Sequence, residues 1–126
     1  MALTKLFMGL GGLSGMAGVA LGALAAHALA ARLDAAALQT LDTVSKYLLV
    51  HGLLLIAVAA WTRLEPDALM LRIAGLLVVA GIFCFCGGLS VSILGGLRAF
   101  GAAAPFGGTA LMAGWLVLAL FGMTKL

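Results

Sequence analysis

Residues 69–94 read LMLRIAGLLVVAGIFCFCGGLSVSIL and contain one charged side chain, Arg72. A helix rises about 1.5 Å per residue, so a helix of this length crosses the roughly 30 Å hydrocarbon core of a bilayer. Glu65-Pro66-Asp67 lies just before the stretch, and Gly95-Gly96 follows it as a natural helix stop. The stretch therefore predicts a transmembrane helix over about 69–94.

The rest of the chain has the same apolar character. Hydrophobic residues make up 65% of the 126 residues and charged residues only 9%, and the mean hydropathy is +1.28. A soluble domain typically carries about 25% charged residues, so we expect most of the surface of this protein to face the lipid bilayer. The net charge of +3 comes from single Lys and Arg residues at the ends of apolar runs, a pattern typical of interface anchors and not of nucleic-acid binding.

Three further apolar runs, at about 6–31, 44–61 and 105–123, predict membrane spans. The strictly apolar part of the second run is short, so we expect the segment before it to supply extra helical turns. The most polar stretch, 32–46, precedes the second run and carries leucine and valine at helical spacing, which predicts one short interfacial amphipathic segment. We therefore predict an all-α fold: a single domain over 1–126 that forms an integral membrane four-helix bundle with short connections and glycine-rich helix packing.

Four spans place both termini on the same side of the membrane. That side would hold Lys5, Arg63, Arg72 and Lys125, against Arg32, Lys46 and Arg98 on the other side. The small excess of positive charge favours cytoplasmic termini, and in a bacterial host it favours the inner membrane.

Glycines form a stripe on the first helix. Gly11, Gly15, Gly18 and Gly22 follow a 4-3-4 spacing, which places them on one face and lets another helix approach closely. Gly114, beside Trp115, offers a similar position on the fourth helix. Such a stripe fits a helix–helix seam within the bundle, and it also fits an interface with a second copy or with a larger membrane complex.

The two histidines are the main candidates for chemistry within the membrane. His27 and His51 each lie five residues from a charged residue, about 7–8 Å inside the same interface at helical rise. Tyr47 shares a helical face with His51, and Ser90 ends the third helix on the same side. These four residues form a predicted polar cluster.

Three interpretations of the histidines stay open on the sequence alone. They could be neutral side chains that fix the register of neighbouring helices, or they could form a solute, proton or headgroup site, because histidine titrates near neutral pH. A metal or haem site is the third interpretation, but Cys84 lies too deep in its run to serve as a third ligand. We predict no metal and no cofactor. Because all four acidic residues lie outside the apolar runs, we also predict no enzymatic activity.

The histidine segments resemble a known family. Leu21-Gly22-Ala23 through Ala26-His27-Ala28-Leu29 is similar to the LGAxxAHxL segment of the YgdD family of small membrane proteins. Tyr47 and His51 match its Y-x-x-x-H segment, residues 85–89 resemble its FSGSLY segment, and residues 105–108 with Gly114-Trp115 resemble its TPxGGxxFxxGW ending. The resemblance implies four helices, an inner-membrane location and no assigned activity.

Pro105, Gly107 and Gly108 predict the start of the fourth helix near the interface that the histidines approach. A helix N-terminus favours an anion, and Arg98 lies nearby in sequence. These four residues are therefore a candidate anion site, with an ordinary closely packed helix start as the simpler alternative. For the whole protein, the main hypothesis is a structural or accessory membrane component, whose histidines would be packed dry. The alternative is a solute, ion or proton pathway, in which a wet cavity would reach the histidines.

Overall fold

A computed structural model describes residues 2–125. In chain order the elements are α1 (Ala2–Ala26), α2 (Ala35–Leu64), α3 (Leu69–Gly81), a π-helical turn (Ile82–Gly87), α4 (Gly88–Leu94), a 3₁₀ segment (Arg98–Ala103) and α5 (Ala104–Lys125). The third span runs continuously from α3 through the π turn to α4. Four spans are long and apolar enough to cross a membrane, and residues 2–125 contain no strand. The predicted all-α four-helix bundle is confirmed.

The first connection differs from the predicted span of 6–31. α1 begins at Ala2 and ends at Ala26, and 27–33 forms successive turns in which the Leu29 amide donates to the Leu24 carbonyl at 2.8 Å. The chain leaves the helix early because Leu29 and Leu33 turn inward, where they pack against the cluster that contains Leu41 and Val44.

The predicted amphipathic segment forms the first turns of α2, so the second span is 30 residues long. Asp34 caps this helix, because its carboxylate accepts a hydrogen bond from the Ala37 amide at 2.8 Å. The carboxylate of Asp42 forms an ion pair with the Lys46 ammonium at 2.8 Å on the exposed face of α2. Leu41 and Val44 are fully buried, which shows that the apolar side of the segment belongs to the bundle core.

α1 and α2 form one tightly packed antiparallel pair. A Cβ atom added to Gly11 would lie 2.7 Å from the Gly52 carbonyl oxygen, so the two backbones are in contact there. The Ser14 hydroxyl donates to the Leu48 carbonyl at 2.8 Å, and the Ser45 hydroxyl donates to the Gly18 carbonyl at 2.7 Å. Each helix thus donates to the backbone of the other, which fixes their register.

The third span and α5 form the second pair. A Cβ atom added to Gly107 would collide with the backbone of Phe85 in the π turn, and one added to Gly81 would lie 2.9 Å from the Gly107 carbonyl oxygen. Further along, a Cβ atom on Gly114 would lie 2.8 Å from Val78 Cγ2. Glycine therefore sets the helix separation within this pair as well.

Large side chains fill the space between the two pairs. Phe7 of α1 is fully buried, and its ring lies against Gly75 of α3 at a distance that leaves no room for a Cβ atom. Phe7 belongs to a core cluster with Leu55, Val78 and Leu111, so all four spans contribute to this core.

Candidate functional site

His51 lies on α2 with only 6% of its surface exposed. Its Nδ1 atom lies 2.9 Å from the Tyr47 carbonyl oxygen, and the Trp115 indole N–H of α5 donates to its Nε2 atom at 3.1 Å. An indole nitrogen can only donate, so Nε2 must carry the lone pair and Nδ1 the proton. The His51 ring is therefore neutral, and both of its nitrogens are occupied within the bundle.

Two more aromatic rings extend this contact to the third span. Tyr47 stacks on Phe85 with ring centroids 4.6 Å apart, and it lies 5.4 Å from the His51 ring centroid. Phe85 sits in the π turn, a wider helical turn that redirects side chains and is often found at functional sites. The backbone of Phe85 packs directly against Gly107 of α5, and this contact holds Phe85 in position. Together Tyr47, His51, Phe85 and Trp115 form the aromatic joint between α2, the third span and α5.

An open cleft of about 550 Å³ borders the aromatic joint. One wall is the aromatic joint itself, and the other is the first half of α5. Within residues 2–125 no Lys, Arg, Asp or Glu lines the cleft. Its border is formed by Tyr47, His51, Phe85, Ala104, Pro105, Gly108, Thr109, Leu111, Met112 and Trp115. Its chemistry is that of an aromatic, uncharged pocket with two hydroxyl side chains, Tyr47 and Thr109.

The structure brings together two members of the predicted polar cluster and separates the other two from them. Tyr47 and His51 are in the aromatic joint, as described. His27 lies exposed in the first turn after α1, where its amide donates to the Ala23 carbonyl. Ser90 borders a different cleft, of about 370 Å³, between α1 and the third span. His27 is separated because α1 ends before it, and Ser90 is separated because it lies on the side of the third span that borders α1.

The predicted anion site is spread over two elements. Arg98 is exposed at the start of the 3₁₀ segment, while Pro105 lies in the first turn of α5. The chain is already helical before Pro105, and the Ala104 amide donates to the Gly101 carbonyl. Gly107 is buried against Phe85, and Gly108 borders the aromatic-walled cleft. The two glycines therefore have different surroundings, one in a seam and one at a cavity.

The predicted packing glycines of α1 face α2, with one difference in detail. Cβ atoms added to Gly11, Gly18 and Gly22 would each lie within 3.0 Å of an α2 atom. A Cβ atom on Gly15 would meet nothing, although its amide nitrogen lies against Gly52. Trp115, predicted as a packing residue, also makes the hydrogen bond to His51.

Within residues 2–125 no group of three or more His, Cys, Asp or Glu side chains is arranged to hold a metal ion. Cys84 and Cys86 are free thiols, and Cys86 is buried with its sulfur 4.0 Å from the Val44 carbonyl oxygen.

Sequence reasoning did not place Phe85, Thr109 and Met112 at the site. Their contribution depends on the π turn and on how far α5 is rotated, and neither has a periodic signal. The available hint is the cluster of glycines at 81, 87 and 88, which marks a region where backbones approach closely.

Comparison with known proteins places this architecture in a family. The family model described as "Protein of unknown function (DUF423)" matches residues 21–108. The chain is 34% identical to UPF0382 membrane protein SSP2132 of Staphylococcus saprophyticus, over 92% of this chain and 95% of the relative. It is 31% identical to UPF0382 membrane protein YwdK of Bacillus subtilis, over 90% and 93%. No solved structure matches the chain. With more than half of its length matched by the family model and these relatives named as membrane proteins, the chain belongs to the DUF423 family of membrane proteins.

Proposed function

We propose that this protein is a non-enzymatic structural or accessory component of the bacterial inner membrane, with both termini in the cytoplasm. The observation that carries the proposal is the bonding of His51. Its Nε2 atom accepts from Trp115 and its Nδ1 atom donates to the Tyr47 carbonyl, so the ring has no free nitrogen to bind a metal or to pass a proton. Its role is to hold α5 against α2.

The distribution of the other ionisable groups supports the same conclusion. His27, the second partner that a histidine pathway would need, lies exposed in a connection. Tyr47 lies beside His51 and an open cleft reaches both side chains, but both His51 nitrogens are already bonded within the bundle, which leaves neither of them free to relay a proton. The histidine pathway is therefore the weaker hypothesis.

The outer face of α1 supports assembly with a second copy or with a larger membrane complex. Cβ atoms added to Gly9 and Gly12 would meet nothing within 4 Å, so bare backbone faces the lipid at these two positions. In a bilayer, close backbone approach is a main source of helix association. We further propose that the chain is YgdD-like, and the resemblance to that family supports the inner-membrane location.

Proton flux in proteoliposomes tests the proposal directly. Liposomes that contain the purified protein and an internal pH-sensitive dye should collapse an imposed pH gradient no faster than empty liposomes do. The His51→Asn variant should behave identically in this assay, because no pathway depends on the ring. Faster collapse with the wild type, abolished by His51→Asn but retained in the exposed-site variant His27→Asn, would establish a pathway and overturn the structural role.

A further inference from the structure

We propose that the cleft beside the aromatic joint binds a neutral, flat, lipid-soluble ring that carries a carbonyl group, which is the chemistry of a membrane quinone. This binding goes beyond the structural role proposed above and requires neither turnover nor transport. It rests on the size of the cleft, its walls, its lack of charge and the hydroxyl group of Tyr47.

The dimensions and walls of the cleft suit a ring. Its volume of about 550 Å³ falls within the range of about 300–1,000 Å³ typical of small-molecule sites. Tyr47, Phe85 and Trp115 line it from three different spans, and their mutual contacts hold the rings in place before any ligand arrives. Aromatic walls favour flat partners through offset or edge-to-face contacts.

The charge of the cleft excludes an ionic headgroup. Among the residues that the structure describes, no charged side chain lines it, and His51 is neutral because its Nε2 atom accepts from Trp115. Lys46, next to Tyr47 in the chain, is engaged with Asp42 on the exposed face of α2. A phosphate in this cleft would lose hydration without gaining a counter-charge, which is costly. The preferred ligand is therefore uncharged.

The hydrogen-bonding groups select a carbonyl. Trp115 and His51 are bonded to each other, and the Thr109 hydroxyl donates to the Pro105 carbonyl at 2.8 Å. Tyr47 is 38% exposed, and within residues 2–125 its hydroxyl makes no hydrogen bond to another protein group. A phenolic hydroxyl donates well to a carbonyl oxygen. Because Tyr47 adjoins the interfacial Lys46, the ring would lie near the interface and its tail would extend into the bilayer.

Gly108 provides a way to close the cleft without disturbing the bundle. A Cβ atom added there would meet only Phe85 Cδ2, at 3.9 Å, which is an ordinary contact. A leucine at this position would therefore extend into the space that the ligand needs. Gly122, on the same helix, has nothing within 4 Å of an added Cβ atom and does not border the cleft, so Gly122→Leu is the matched control.

Tryptophan fluorescence measures the binding. In a Trp61→Phe background, Trp115 is the remaining tryptophan, and the full chain in lipid nanodiscs is titrated with duroquinone. We expect saturable quenching. The affinity for duroquinone should fall at least about tenfold in Gly108→Leu and about fivefold in Tyr47→Phe, which loses a hydrogen bond. Gly122→Leu should leave the affinity unchanged. Circular dichroism checks that each variant is folded.

Each result bears on the proposal. If quenching rises linearly with duroquinone and equally in all variants, the quinone is only partitioning into lipid and the proposed site is wrong. The site is also wrong if quenching is saturable but Gly108→Leu does not change it. If Gly108→Leu abolishes binding while Tyr47→Phe does not weaken it, the carbonyl assignment is wrong. If Gly108→Leu does not fold, the affinity of Tyr47→Phe for duroquinone tests the proposal, because this variant keeps the ring and loses only the hydroxyl. An affinity equal to that of the parent protein would then overturn the proposal.

Discussion

Glycines make the closest contacts within each helix pair, whereas large side chains make the contacts between the pairs. Between α1 and α2, glycine brings two backbones together, as at Gly11 and Gly52. Between α2 and α5 the backbones stay further apart, and the gap is bridged by His51 and Trp115. In lipid, where apolar side chains gain little by leaving the solvent, close backbone packing supplies attraction, while a long polar bridge supplies orientation.

The difference also explains where a cavity can form. A seam of glycines leaves no space, because each helix lies in the groove of the other. A bridge of large side chains holds the helices apart and leaves room beside it, which is where the cleft of about 550 Å³ is found. The tight seams thus leave no room for a ligand, and the wider joint has a cleft beside it.

The largest expected effect comes from adding a methyl group to the α1–α2 seam. In Gly11→Ala the new Cβ atom would lie 2.7 Å from the Gly52 carbonyl oxygen and 2.9 Å from Ile56 Cγ1, so we expect the protein to lose about 3 kcal/mol of unfolding free energy from overpacking. Unfolding in mixed detergent micelles with increasing dodecyl sulfate, followed by circular dichroism, measures this loss.

The adjacent glycine is the control for this prediction. A Cβ atom on Gly12 would meet nothing, so Gly12→Ala should be neutral or about 0.5 kcal/mol more stable, because alanine favours a helix over glycine. Equal destabilisation by Gly11→Ala and Gly12→Ala would show that the seam does not depend on backbone contact.

An intermediate effect is expected from the aromatic joint. Trp115→Phe keeps a ring but leaves His51 Nε2 without its donor, which should cost about 1.5 kcal/mol, since an unsatisfied buried acceptor typically costs about 1–3 kcal/mol. Trp61→Phe is the control, because Trp61 is 39% exposed, and it should change stability by less than about 0.5 kcal/mol.

A double-mutant cycle isolates the pair itself. Combining Trp115→Phe with His51→Leu should show a coupling of about 1 kcal/mol, in the upper part of the range seen for hydrogen bonds within membranes. Strictly additive effects would mean that the two side chains pack side by side without a bond that matters for stability.

The smallest effect is expected from the serine bonds of the α1–α2 seam. Ser14→Ala removes the hydroxyl that donates to the Leu48 carbonyl, and we expect a loss of about 0.6 kcal/mol, the average for such bonds in a bilayer. The same micelle titration measures it, with the exposed Thr124→Ala as the control. A loss as large as that of Gly11→Ala would reverse the ranking and make hydrogen bonding, not close packing, the main stabiliser of this pair.

Much of the fold could be predicted from the sequence because a bilayer imposes a length and a composition on each span. The third span was predicted over 69–94 and lies at Leu69–Leu94. The glycine spacing of α1 predicted a packing face, and the seam with α2 uses Gly11 and Gly18 on that face. These features are local: hydropathy and helical spacing are sufficient to give them.

The candidate site could be predicted only in part. The four-residue spacing placed Tyr47 beside His51, because both lie on one helix face. No sequence pattern favours Trp115 over His27 as the partner of His51, since that choice depends on which helix lies across from α2. The early end of α1 moved His27 into a connection, and this followed from Leu29 and Leu33 packing inward.

The sequence by itself determined that this chain lies in a membrane as four helices, that its first helix has a glycine face and that Tyr47 and His51 are neighbours. Only the tertiary structure decided that His51 is bonded at both nitrogens, that the π turn places Phe85 on Tyr47 and that a cleft opens beside them. The physical reason is that length, hydropathy and helical spacing act along one segment. The rotation and separation of helices instead depend on side chains that meet from distant parts of the chain.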